Sequence, residues 1–559
     1  MTTIDTHPEA TAGAAASSGS GQLLAHVGSW VTTSDHKRIG RLFIGLSLTF
    51  LMGVVGLGAV LGLDRVQADD SDTVLSINSL GQLFSLFRVG LVFMAIVPLA
   101  LGIAIAVVPL QLGARSLSFP RLAALGLWIW LAGSGIVLVS YIQNGGPGGG
   151  KSSAVDLFLA GLGLTVIGLV CAAASLATSI LTSRAPGMTL DRVPAFAWAA
   201  LVSAVALLLT LPVLLAALIY LFADHRFGAR TTIEANGWGG NAIYPWVRFA
   251  LSQPMSFIYA IPVLGFVAEV VPTFARRRTV LRVGVLVGVG IFATASLTGA
   301  TQITHGIRPM SQSDGAERFR DIVNYAFFNL LPVLGILVVM GSVTLTLLLG
   351  LKSRRLSLSA PLLFGLGSVA MLTLGAGSHL LVPIADAQLA GTVYEEGVFT
   401  FLAYAVVLAG LGAVSYWGPK LWGRSLPKIP TLLLALGATG AAALATVPFL
   451  IAGFNNQPGL FGVSNGAGLV TGWTNEAAPE FLNALVAIGH ALMALSVLGF
   501  VLLAVGAFSK GKFVGDDPWD GQTLEWATSS PAPSNNFVEL PTVESAEPLA
   551  DLKPAGSDH

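Results

Sequence analysis

The stretch GGNAIYPWVRFALSQPMSFIYAIPVLGFVAEVVPTFAR, residues 239–276, decides how the rest of the chain is interpreted. It reads as a loop that enters a long apolar helix and ends at a basic cluster. Similar apolar stretches of about twenty residues recur along the chain, and each is long enough to cross a bilayer. Apolar residues make up 54% of the sequence and charged residues 10%, with a mean hydropathy of +0.77. The sequence therefore predicts an integral membrane protein.

The apolar pattern predicts twelve transmembrane helices, and hence an all-α membrane fold. Lys and Arg concentrate in alternate connections, whereas the opposite connections hold fewer of them and also carry acids. The positive-inside rule then places both termini in the cytoplasm. The predicted spans lie near residues 42–63, 89–110, 122–142, 155–181, 196–222, 246–271, 280–303, 323–350, 360–383, 397–418, 431–454 and 480–508.

Three regions follow from this pattern. Residues 1–29 are rich in Ala, Ser, Gly and Thr without a basic start or an apolar core, which predicts a disordered cytoplasmic tail rather than a signal peptide. Residues 30–510 form the membrane domain, and residues 511–559 an extended cytoplasmic tail. The net charge of zero implies no nucleic-acid partner. Cys171 is the single cysteine, which excludes an internal disulfide and a CxxCH heme attachment.

Four further motifs and the opening stretch carry a resemblance that covers nearly the whole chain. The motifs are TSDHKRIGR (33–41), VVPLQLGARSLSFPRL (107–122), YWGPKLWGR (416–424) and DDPWDGQTLEWATSSPAPSNNF (516–537). They are similar to TTDHKRIGR, MPLQIGAPDVAFPRL, YWWPKMTGR and DPWxxxTLEWxxxSPxPxxNF of heme-copper oxidase subunit I, the catalytic subunit of cytochrome c oxidase. The resemblance implies a twelve-helix bundle with two hemes and copper, oxygen reduction and proton pumping.

The positions that the resemblance assigns to metal ligands hold other residue types. Phe87 stands at one low-spin heme position and Thr400 at the other, Val398 at the high-spin heme position and Gln253 at a copper position. These ions need an imidazole here, and none of the four side chains provides one. His305 is a weak remaining metal candidate. The sequence therefore predicts that the chain takes no heme or copper cofactor.

Arg88 stands beside the vacated position at residue 87. A guanidinium within a membrane bundle needs a partner. We predict that Arg88 pairs with Glu396 or Glu395 across the old heme pocket; the alternative is that it reaches outward to the lipid headgroups.

Three functions remain open. The first is a non-catalytic structural or assembly subunit of a respiratory complex in a prokaryotic plasma membrane. Its partners would be subunit II-like or III-like chains or a true subunit I. The second is an active terminal oxidase, and the third is a transporter or channel that reuses the bundle. Fold does not decide among them.

Overall fold

A computed structural model of the protein describes residues 27–66, 75, 77–147, 151–227, 247–297, 315–459 and 480–552. In this part of the chain, eleven helices are long and apolar enough to cross a membrane. The predicted all-α membrane bundle is therefore confirmed. The seventh predicted span is described only as the shorter apolar helix Arg282–Ala295, and the predicted tail before residue 27 lies outside the described residues.

The helices follow the predicted order. Their bounds are α1 His36–Val66; α2 Ile77–Val89, continued by a π-helical stretch Gly90–Ile96 and by Val97–Gln111; α3 Pro120–Ile142; α4 Ser152–Thr182; α5 Ala195–Phe227; α6, a 3₁₀ turn Met255–Ala260 continued by Ile261–Ala275; α7 Arg282–Phe292 with the 3₁₀ turn Ala293–Ala295; α8 Ala316–Tyr325, a π-helical stretch Ala326–Leu330 and Leu331–Lys352; α9 Ala360–His379; α10 Val393–Trp422; α11 Lys428–Phe454; α12 Glu480–Lys510.

Three helices form the centre of the bundle. The most apolar part of α10 is fully buried, and those of α2 and α6 are almost so. Small residues let the neighbours approach: a Cβ atom on Gly102 of α2 would lie 2.5 Å from Cβ of Phe43 in α1. Because lipid tails are as apolar as the side chains, such close packing stabilises helix association in a membrane.

The segment after α12 packs against the bundle. Its strand β2, Lys512–Phe513, pairs antiparallel with β1, Arg424–Ser425, after α10. The chain then continues through the 3₁₀ turn Leu524–Ala527 to the short helix α13, Pro548–Leu552. We call residues 511–552 the tail platform. Buried side chains of this segment, Glu525 and Asn536 among them, contact the end of α2 and the connection after it, whereas the cytoplasmic position of the tail stays a prediction.

Candidate functional site

A small cavity of about 30 Å³ lies between α1, α2, α10, α11 and α12. We call it the ion-pair pocket. Phe87 and Thr400 both line it, so the structure brings together the two residues that stand at the low-spin heme positions. The remaining lining residues are Gly58, Leu61, Gly62, Arg65, Phe84, Arg88, Glu396, Phe399, Phe449, Val486 and His490.

A buried ion pair dominates this pocket. The Nη2 atom of Arg65 donates to Oε2 of Glu396 at 2.6 Å, and the two side chains are only 4% and 11% exposed. The guanidinium of Arg65 also stacks over the ring of Phe449, 4.5 Å from its centroid. Because a lone buried charge is costly, each member of the pair depends on the other.

His490 of α12 supplies a second polar contact. Its Nδ1 atom lies 2.5 Å from the hydroxyl of Tyr404 in α10. The ring of Phe87 meets the imidazole edge to face, with centroids 6.0 Å apart. Gly58 makes room for both, since a Cβ atom there would lie 2.8 Å from Cε2 of Phe87 and 3.4 Å from Nδ1 of His490. The aromatic ring and the imidazole thus fill much of the space between α1 and α12.

The two glutamates predicted to pair with Arg88 contact other arginines. The structure pairs Glu396 with Arg65 and Glu395 with Arg248. The Arg88 guanidinium lies 4.3 Å from the ring centroid of Phe399, a cation–π arrangement. Arg88 therefore lines the predicted pocket, but the ion pair that the structure places there belongs to Arg65.

Sequence reasoning missed Arg65 because it placed this residue in the connection after the first predicted span. In the structure α1 continues to Val66. Arg65 lies seven residues after Gly58, and residues seven apart in a helix lie on the same face. Gly58 lies beside the ring of Phe87. An extended helical pattern over Gly58–Arg65 was the available signal.

A heme ligated by residues 87 and 400 does not fit these side chains. Phenylalanine has no donor atom, and the hydroxyl of Thr400 donates to the backbone oxygen of Glu396 at 2.8 Å. Val398 points into a separate apolar cluster with Leu389 and Tyr394. These side chains therefore offer the iron of a heme no axial ligand.

The start of α6 holds the copper position of the resemblance. Gln253 precedes Phe257, whose ring packs on Phe292 and on His379, with centroids 5.9 and 5.4 Å apart. Among the described residues, Nε2 of His379 and Nε2 of Gln253 have no hydrogen-bond partner. The metal candidate His305 lies outside the described residues, and within them no group of three His, Cys, Asp or Glu side chains could hold a metal ion.

The opposite end of the bundle joins the motifs that carry the resemblance. Asn536 of the tail platform donates from Nδ2 to the backbone oxygen of Ala114 at 2.8 Å and accepts from Nζ of Lys37 at 2.9 Å. Glu525 of the same segment accepts from Nε2 of Gln111 at 3.0 Å and from Nε1 of Trp417 at 3.1 Å. All four motifs quoted from the sequence thus meet in one buried polar cluster.

Comparison with known proteins gives one consistent result. Residues 38–501 match the family described as cytochrome c and quinol oxidase polypeptide I. Cytochrome c oxidase subunit 1 of Corynebacterium glutamicum is 30% identical over 93% of this chain and 88% of its own length. The protein of the same name from Bacillus subtilis is 29% identical over 94% of this chain and 83% of its own length.

These matches overturn one prediction from the sequence. The residue types at the aligned ligand positions predict no cofactor, yet the matching family is one of heme-copper oxidases, whose members bind hemes and copper. As a statement about the chain, that prediction is wrong. It failed because it extended the chemistry of four aligned positions to the whole molecule. The side chains exclude only the axial ligation of a heme by residues 87, 398 and 400.

Proposed function

Because the chain belongs to the cytochrome c and quinol oxidase polypeptide I family, we propose that it is a non-catalytic structural subunit of a respiratory membrane complex. The observation that carries this proposal is the contact of 2.6 Å between Arg65 and Glu396. It lies in the pocket lined by Phe87 and Thr400, where the family resemblance implies a low-spin heme. A structural contact thus occupies a site that electron transfer would require.

The pocket contacts connect three helices. Arg65 joins α1 to α10 through Glu396, and His490 joins α12 to α10 through Tyr404. A buried ion pair adds little net stability compared with well-packed apolar groups, but it penalises any arrangement that separates the two charges. The pocket therefore favours one packing of α1, α10 and α12.

The chain is an integral plasma-membrane protein, as its apolar helices and bacterial relatives indicate. The distribution of Lys and Arg supports cytoplasmic termini. In that orientation the tail platform faces the cytoplasm. In this proposal the partners are other subunits of the respiratory complex, either subunit II-like or III-like chains or a true subunit I.

The second candidate is an active terminal oxidase subunit, which the names of the relatives favour. It would transfer electrons from cytochrome c or a quinol to oxygen. This reading requires ligands other than residues 87, 398 and 400, because those side chains do not bind iron.

Purification of the tagged chain from its native membranes separates the two candidates. We expect identified oxidase subunits to co-purify with it. In Arg65→Met we expect less assembled complex but unchanged oxygen uptake per complex, because the ion pair stabilises packing and takes no part in the reaction. Oxygen uptake by the purified chain in the absence of another subunit I would overturn the structural proposal and favour the active oxidase.

A further inference from the structure

The carboxyl group of Glu525 has an uneven set of partners. Oε1 accepts two N–H groups, from Gln111 Nε2 and from Trp417 Nε1. Oε2 has no hydrogen-bond partner among the described residues, and neither has Oε1 of Gln111. Glu525 and Gln111 are both fully buried. Two buried acceptor atoms of adjacent, already hydrogen-bonded groups are therefore left unsatisfied.

One proton satisfies both atoms. A primary amide and a carboxylic acid can form a closed pair in which the amide N–H donates to one carboxyl oxygen and the acid O–H donates back to the amide oxygen. The first of these two bonds is present at 3.0 Å. We propose that Glu525 is a proton-binding site, and that its neutral acid form holds the tail platform against the ends of α2 and α10.

Charged groups of both signs face Glu525: the ammonium of Lys420 favours its ionised form, whereas a second carboxylate disfavours it. That carboxylate is Glu269 of α6, and Thr523 faces both carboxyl groups. Like charges in a buried site disfavour double ionisation. Tyr416 and Lys420 of α10 also face Glu525.

Further charged groups face Lys420 and Glu269, the neighbours of Glu525. Nζ of Lys420 is held by the backbone oxygens of Asp516 and Thr528 at 2.8 and 2.6 Å. Asp516 and Asp517 of the platform face Lys420, and Arg282 at the start of α7 faces Glu269. Burial raises the pKa of Glu525 above its ordinary value of 4.5, the direction that favours the protonated form.

The sign of the pH effect follows from this direction. A carboxyl group whose pKa is higher in the docked state than in the released state binds more protons when docked. Docking is therefore most favourable below the ordinary pKa of glutamic acid and weakens as the pH rises through the docked pKa of Glu525. A rise in pH therefore weakens the docking of the tail platform.

The site is distinguished from a merely structural glutamate by two variants of the full-length protein. Glu525→Gln carries an amide that can donate to Gln111 Oε1 and accept from Gln111 Nε2, so it mimics the neutral acid. Glu539→Gln is the matched control, because Glu539 is exposed in the same segment. Hydrogen exchange of peptides covering residues 516–537, corrected for the intrinsic pH dependence, reports docking.

We expect exchange in the wild type to rise between the ordinary pKa of glutamic acid and the docked pKa of Glu525, by at most about tenfold per pH unit as one proton requires, and to level off at higher pH. Exchange in Glu525→Gln should stay slow between about pH 5 and about pH 9 while Glu539→Gln follows the wild type. The infrared carbonyl band of a buried carboxylic acid should persist in Glu269→Gln and vanish in Glu525→Gln. A released tail in Glu525→Gln at every pH, a pH-independent wild type, or loss of the acid band in Glu269→Gln instead would overturn the proposal.

Discussion

The ion-pair pocket and the tail platform both bury polar side chains, but they relate to the family in opposite ways. In the pocket, the positions that the resemblance assigns to heme ligands hold Phe87 and Thr400, and the contacts come from Arg65 and Glu396. In the platform, the family motifs are present and contact one another, as Asn536 does with Lys37. The comparison shows that the platform is built from motifs that resemble the family, whereas the pocket is built around an ion pair between Arg65 and Glu396.

Removal of one charge from the pocket should have the largest effect. Arg65→Met leaves Glu396 buried without its cation, which should lower the free energy of unfolding by about 3–5 kcal/mol. Thermal unfolding in detergent measures this loss. The double variant Arg65→Met/Glu396→Leu is the control, because it removes both charges and should recover most of the stability. A single variant as stable as the wild type would show that the pocket is not held by this pair.

Loss of Asn536 tests the platform side of the comparison. Asn536→Ala leaves the buried Ala114 carbonyl without its donor, at about 1–3 kcal/mol, while Lys37 keeps its ion pair with Asp35 at 3.1 Å. We expect faster proteolysis of the tail, while the pocket stays intact. Asn535→Ala is the matched control, since Asn535 is the exposed neighbour. Equal proteolysis of the two variants would show that Asn536 does not hold the tail platform in place.

A smaller effect is expected at the second pocket contact. Tyr404→Phe removes the hydroxyl that lies 2.5 Å from Nδ1 of His490 and leaves this buried nitrogen unsatisfied, at about 1–3 kcal/mol. The His490→Leu/Tyr404→Phe double variant measures the coupling between the two residues in a thermodynamic cycle. Additive effects of the two single changes would mean that the contact does not join α10 to α12.

The smallest effect concerns the arginine that the sequence singled out. Phe399→Leu removes the ring beneath the Arg88 guanidinium, a cation–π contact worth about 0.5–2 kcal/mol.

Double-mutant cycles of Glu396 with Arg65 and with Arg88 then compare the two arginines directly. We expect the larger coupling for Arg65. A larger coupling for Arg88 would restore the pairing predicted from the sequence.

The sequence was sufficient for the bundle because each span is a long apolar segment, and bilayer thickness alone sets that length. It was also sufficient to place Phe87 and Thr400 in one pocket, through the resemblance. Arg65 was missed because a charged residue at a helix end looks like part of a connection until the helix is seen to continue to Val66.

The partners of Glu525 were beyond sequence reasoning for a different reason. A polar tail has no periodic pattern that shows where it docks, and Gln111 and Trp417 belong to distant parts of the chain. The same holds for His490, whose contact with Tyr404 joins two separate helices. Contacts between separate helices depend on packing geometry, which a single sequence does not specify.

The reduced-minus-oxidised visible spectrum of the purified wild-type chain, with heme quantified on the same sample, tests the central claim most directly. If Arg65, Glu396 and Phe87 occupy the low-spin site, the spectrum has no band from a low-spin heme with two imidazole ligands. Such a band at one heme per chain would contradict the account, because it would require histidine ligands where the structure places an ion pair and a phenyl ring.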